Sequence, residues 1–191
     1  MRNAKDAGPI EQCASRSASP GDGCLVASRI VLACLLSASL LAGQTASISP
    51  SIENAYVDKT GHVQVVRGDG KDVQIPGEKD QVSADSPVVA PDRQTVGWLV
   101  EMPNCCTSYP IPTTLVIYRS GRVVQRIGDG MMIYKWVFLD RGRRCAVSSG
   151  TVHGMTGIHL TLYDSRTGKT LRTWNGDDGE VPPKWGTEVS R

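Results

Sequence analysis

The chain has 191 residues with a formal charge of +2, 40% apolar and 21% charged. That is enough for one domain with a real core, too little for two large ones, and too balanced in composition for general disorder. Its Lys and Arg are spread along the chain rather than bunched, so the sequence gives no sign of a nucleic-acid or anionic membrane partner.

The first 46 residues differ from the rest. Residues 1–24 are rich in Ser, Ala, Gly and Pro without an apolar period, and are expected to be unstructured. Arg29 then precedes an apolar run from Ile30 to Leu36 that continues through Ser37 and Ser39 to Ala42. A basic residue, a short apolar segment and small residues make up a secretory signal, assigned to 25–46 with cleavage between Ala42 and Ser47. The alternative is a retained membrane anchor over 25–43, but from Ile30 the segment falls short of the roughly 20 residues needed to span the hydrocarbon. Cys34 after Val31-Leu32-Ala33 mimics a lipoprotein site, though apolar residues continue beyond it. Leu25 or Val26 could also mark the true translation start. The expected destination is the periplasm or the exterior.

Residues 47–191 carry 17 Lys/Arg against 16 Asp/Glu and almost no helical periodicity. Short β-branched and aromatic runs alternate instead with Gly, Asp and Ser turns. Ten or eleven strands are predicted, the clearest being 55–58, 63–67, 73–75, 96–102, 114–118, 123–127, 132–139, 145–148, 158–163 and 170–174. Gly68-Asp69-Gly70, Ser120-Gly121 and Thr167-Gly168 supply hairpin residues that tolerate positive φ. The fold class is therefore all-β, with an irregular C-terminal tail from about 175. In 96–102, Val96, Trp98, Val100 and Met102 share one face and Leu99 lies on the other. In 132–139, Met132, Tyr134, Trp136 and Phe138 are expected on one side, opposite Ile133, Val137 and Leu139. Strands apolar on both faces belong to covered sheets. Trp98, Trp136 and Trp174 are read as core.

The pattern repeats. Tyr118 and Tyr163 end the similar runs TLVIYR and HLTLYD, 45 positions apart. Gly121 and Gly168 make the following hairpin, Ile127 and Trp174 close the next strand, and Asp92 corresponds to Asp140. A partial earlier copy puts Gly70 in the place of Gly121. A period near 45 is that of a four-stranded propeller blade, a unit that cannot bury both faces alone.

SPVVAPDRQTVGWLVE followed by TLVIYRSGRVVQRI resembles the TolB-like and WD-type β-propeller blade. Ala90-Pro91-Asp92-Arg93 keeps the Pro and Asp of the blade turn without its Gly; Leu139-Asp140-Arg141-Gly142 keeps Asp and Gly without Pro; the WD dipeptide is absent. The resemblance covers residues 53–175, about two and a half blades. It implies antiparallel blade-like meander sheets in an incomplete, open propeller-like stack.

Candidate chemistry is sparse. Cys105 and Cys106 sit in a Pro-rich loop over 103–112, and Cys145 is the only other cysteine after residue 46. In an oxidising compartment three arrangements stay open: one of the pair bonded to Cys145, a vicinal Cys105–Cys106 bridge, or three thiols. His62, His153 and His159 show no metal-ligand spacing, and no cofactor or metal is expected. The turn 175–180 is acidic but lacks a calcium-loop pattern. The leading expectation is an exported, non-catalytic interaction module whose long loops, 103–112 and 149–157, form one edge toward a protein or glycan, with Tyr109 and His153 as contact residues. The alternative is a small extracellular thiol-dependent hydrolase or redox protein using Cys105 or Cys106 with His153.

Overall fold

The computed structural model of this chain describes residues 49–105, 107–153, 157–176 and 180–190. The expected leader 1–24 and signal 25–46 lie outside the described residues. Among those described, no helix is long and apolar enough to cross a membrane.

Among the described residues eleven strands form: β1 (Ile52–Val57), β2 (Val63–Arg67), β3 (Asp72–Gln74), β4 (Ser83–Val89), β5 (Thr95–Met102), β6 (Ile111–Arg119), β7 (Arg122–Ile127), β8 (Met132–Leu139), β9 (Arg144–Gly150), β10 (Ile158–Asp164) and β11 (Thr170–Gly176). They make three antiparallel meanders, β1-β2-β3, β4-β5-β6-β7 and β8-β9-β10-β11, none closed into a barrel. The tightest hairpin shows how turn chemistry sets register. Arg119 pairs with Arg122, and the two residues between, Ser120 (φ 50) and Gly121 (φ 87), both take the left-handed conformation that a two-residue hairpin demands.

The repeat is physical. Tyr118 and Tyr163 each sit on the third strand of a four-stranded sheet, opposite Val96 and Cys145 on the second. Gly121 and Gly168 fall in the hairpins between third and fourth strands, and Asp92 and Asp140 in the turns between first and second. Gly70 lies in the β2–β3 hairpin, so β1–β3 correspond to strands two to four of the later units.

The middle sheet is apolar on both faces. Val96, Trp98, Val100, Val116 and Tyr118 pack against Val63, Val65 and Ile75 of the first sheet. The intervening Leu99, Leu115 and Ile117 pack against Ile133, Trp136, Cys145 and Val147 of the third. Consecutive residues of β5 and β6 are therefore buried from Thr95 to Val100 and from Leu115 to Tyr118, as a doubly covered sheet requires. Gly97 lets Trp136 in: a Cβ added there would lie 2.6 Å from Trp136 Cη2 and 3.1 Å from Phe138 Cζ. The rings of Trp136 and Phe138 meet edge to face at 5.0 Å. Trp98, Trp136 and Trp174 each pack in or against one of three successive apolar layers.

The stack is finished differently at its two sides. On the third sheet's far face, Ala146, Leu160 and Leu162 are covered by Val189 and Trp185 of the C-terminal segment, which makes a short 3-10 turn at Lys184–Gly186. The irregular tail thus does the work of a further sheet. On the first sheet's far face, Gln64 and Gln74 both donate to Asp58 Oδ2, at 2.7 and 3.2 Å. That face carries these polar groups beside the exposed ring of Tyr56.

Two expectations are corrected. Tyr134 does not share a face with Trp136 and Phe138: a bulge between Ile133 and Lys135 shifts the register, so Ile133, Trp136 and Phe138 point inward and Tyr134 is 44% exposed. A one-residue slip exchanges faces because side chains alternate with period two. β4 supplies the eleventh of the ten or eleven strands expected. It forms at the sheet edge, with a bulge between Asp85 and Val88 that accommodates Ser86 (φ 52) and Pro87. The Pro-rich loop is shorter than expected, because Ile111 and Pro112 already pair with Met102 and Glu101.

Candidate functional site

In each meander the connection between the second and third blade strands emerges at the same end of the stack. These connections are 58–62, 103–110 and 151–157, and both loops favoured by the sequence are among them. The end is built up from local hydrogen bonds. Asp58 accepts from the backbone N–H of Thr60 at 2.8 Å and of His62 at 3.1 Å, and from Thr60 Oγ1 at 2.6 Å. The Thr60 hydroxyl first, then the Gln64 amide, hold the Asp58 carboxyl well below the usual carboxylate range. The Thr60 hydroxyl also meets His62 Nδ1 at 2.9 Å, which fixes that ring beside the turn.

In the second loop, Asn104 Nδ2 donates to Thr107 Oγ1 at 3.0 Å and Thr107 Oγ1 donates to the Tyr109 carbonyl at 2.6 Å. This folds the loop back on itself and leaves Tyr109 57% exposed. Glu101, at the base of the same loop, has its pKa raised by burial and by the charge of Asp85.

The third loop begins under Tyr134. Its hydroxyl donates to the Thr151 carbonyl, and its ring lies against Gly150, where an added Cβ would come within 2.8 Å. His153 is exposed beyond that point. Tyr134 is the residue sequence reasoning missed, and its only signal was a bulge that strand alternation does not reveal.

The structure thus brings Tyr109 and His153 to one end, together with Cys105, which is exposed in the second loop. Cys106 lies outside the described residues. Cys145 is elsewhere: it is a free thiol, wholly buried between the middle and third sheets. It pairs across the sheet with Phe138, whose ring lies over Gly97. Met102, where the cysteine loop begins, is five residues along β5 from Gly97, about 17 Å at strand rise. Burial pushes the Cys145 thiol up to about 12, so it is a neutral core residue at physiological pH.

His159 is paired through Nδ1 with Asn175 Oδ1 at 2.8 Å on the third sheet, apart from His62 and His153. Among the described residues no group of three or more His, Cys, Asp or Glu could hold a metal ion. The acidic turn is only partly described, since 177–179 lie outside the described residues.

No family model matches the chain. No curated protein is significantly similar to it.

Proposed function

We propose that the chain is an exported interaction module in which blade-like sheets of the TolB and WD type serve as scaffold and the loop end contacts a partner protein. One observation carries this reading. Of the five tyrosines, Tyr118 and Tyr163 are packed into the sheet interfaces, whereas Tyr109 and Tyr134 are 57% and 44% exposed and lie at the loop end, with Tyr56 exposed beside it on the outer face of β1. Exposed tyrosines combine a rigid apolar ring with a polar tip, and they are enriched in protein contacts for that reason. Tyr109 and His153 are the central contact residues, and the hydrogen bonds inside the Tyr109 loop limit the order lost there on binding.

Export rests on Arg29 and the apolar run that follows it. N-terminal mapping of the mature protein is expected to begin between 43 and 48, and recovery of peptides from 1–24 on the mature chain refutes the export reading. The contact reading is tested by replacing loops 103–110 and 151–157 with short Gly/Ser turns. Proteins retained by the wild-type domain are expected to be lost, with the melting temperature little changed. Retention of every partner by the loop-replaced domain refutes it.

A further inference from the structure

The near-neutral charge of residues 47–191 conceals a strong separation along the stack. The five hairpin turns opposite the loop end, 67–71, 90–95, 119–122, 140–144 and 164–169, hold ten Lys or Arg against four Asp. Packing confirms that they gather. Arg67, Gln94 and Ser120 line one small hollow, a Cβ at Gly142 would touch Ala90 at 2.6 Å, and one at Gly168 would touch Gln125 at 2.6 Å. Arginines that look scattered in the sequence are brought together because a meander returns every second turn to the same end.

Within this end lies an open cleft of about 190 Å³ between the β6–β7 and β10–β11 hairpins, lined by Arg119, Ser120, Arg122, Val124 and Arg166. Its two walls are fastened to each other by Gln125 Nε2, which donates to the Arg166 carbonyl at 2.8 Å. Arg119 and Arg122 stand directly opposite one another across the hairpin, a like-charge pairing that ordinarily costs stability. Only Arg119 is compensated: its Nη1 donates to Asp92 Oδ2 and to Thr95 Oγ1, both at 2.6 Å. Among the described residues neither Arg122 nor Arg166 has an ion-pair partner. The nearby Asp164 accepts from the N–H groups of Arg166 and Thr167 and from the Thr167 hydroxyl within its own turn, and its charge reaches Arg166 without a direct ion pair.

The geometry points to an oxyanion site: the Arg119–Arg122–Arg166 cleft binds a phosphate-type group, Arg122 and Arg166 closing on it from two different sheets while Arg119, anchored by Asp92, forms the back wall. Guanidinium forks match the edges of a tetrahedral oxyanion and donate charge-assisted bonds to it. The surrounding surplus of positive charge draws such a ligand in. The phosphate could be free or part of an anionic lipid headgroup, and the two sources are separated by experiment. This site is on the opposite end from the proposed protein contact and does not depend on it.

The test titrates the full chain with inorganic pyrophosphate by calorimetry and, in parallel, sediments it with phosphatidylglycerol and phosphatidylcholine vesicles. One-to-one pyrophosphate binding is expected. Arg122→Ala or Arg166→Ala should each weaken it at least about tenfold, while Lys71→Ala, at the same end but outside the cleft, should change it less than about twofold. Arg122→Lys, which keeps the charge and loses the fork, should also weaken it. Binding only to phosphatidylglycerol vesicles, with the same ranking of variants, upholds the site and assigns its ligand to a headgroup. Equal losses from all these alanine variants would show diffuse attraction and overturn the proposal, as would absence of binding in both arms.

Discussion

Gly97→Ala tests the stacking of the middle and third sheets more sharply than any large truncation, because two effects of opposite sign compete. Glycine inside a strand is less favourable than alanine by about 0.5–1 kcal/mol, so in open space the substitution would stabilise. Here the new methyl would sit 2.6 and 2.9 Å from Trp136 Cη2 and Cζ3 and 3.1 Å from Phe138, well inside contact distance. Overpacking of a tight core costs about 1–3 kcal/mol, which leaves a net loss of up to about 2.5 kcal/mol. For a domain of this size that lowers the melting temperature by up to about 10 °C. Trp136→Leu removes the ring atoms that clash. It is destabilising by itself through the cavity it opens, but in that background Gly97→Ala should become neutral or stabilising. The assay is urea unfolding of the four proteins in the cycle, with an expected coupling of about 1–3 kcal/mol. A Gly97→Ala protein more stable than wild type would refute the close approach of these two sheets.

Three further outcomes follow from the same packing. Val189→Asp places a carboxylate at a site 3% exposed, against Leu160 and Leu162. It should cost about 3 kcal/mol or more by urea unfolding and raise binding of a hydrophobic dye, and an unchanged midpoint would show that the tail does not cap the third sheet. Cys145 should resist iodoacetamide in the folded protein at pH 8 and react once unfolded. Because its folded pKa is raised from an ordinary 9.0 to about 12, the unfolded chain loses the proton first. Its contribution is full below pH 9 and falls by about 1.4 kcal/mol per pH unit above it, until the folded thiol also ionises. Cys145→Ala should remove that increment from the alkaline slope, and an identical slope in the variant would count against it. Asp92→Ala strips acceptors from the N–H groups of Gln94 and Thr95, the Thr95 hydroxyl and Arg119, and should cost about 2 kcal/mol by thermal unfolding. Its repeat counterpart Asp140 pairs with Arg144 in the open, at 37% and 40% side-chain exposure, so Asp140→Ala should change stability far less. Equal effects would deny the difference in burial.

Much of the architecture was legible because it depends on short-range chemistry. Ser120-Gly121 admits the backbone of a two-residue hairpin, and β-branched runs of five to eight residues do not continue as helices. The recurrence of Asp92, Tyr118 and Gly121 as Asp140, Tyr163 and Gly168 marked the repeating unit before any contact was known. The candidate contact residues Tyr109 and His153 were legible as residues of matching long loops, since loop position follows from strand order.

Local pattern by itself determined that this is an all-β chain of repeated antiparallel meanders with two-faced apolar strands, because turn propensity and side-chain alternation act over a few residues. The packed molecule alone decided the rest. Whether Tyr134 faces the core or the solvent hung on one bulged residue, which reverses alternation without changing composition. Whether the last sheet needed a neighbour depended on the C-terminal segment reaching Leu160 and Leu162. The clustering of the hairpin arginines required the sheets to stack in register, because electrostatic neighbourhood is set by distance in space and is indifferent to separation along the chain.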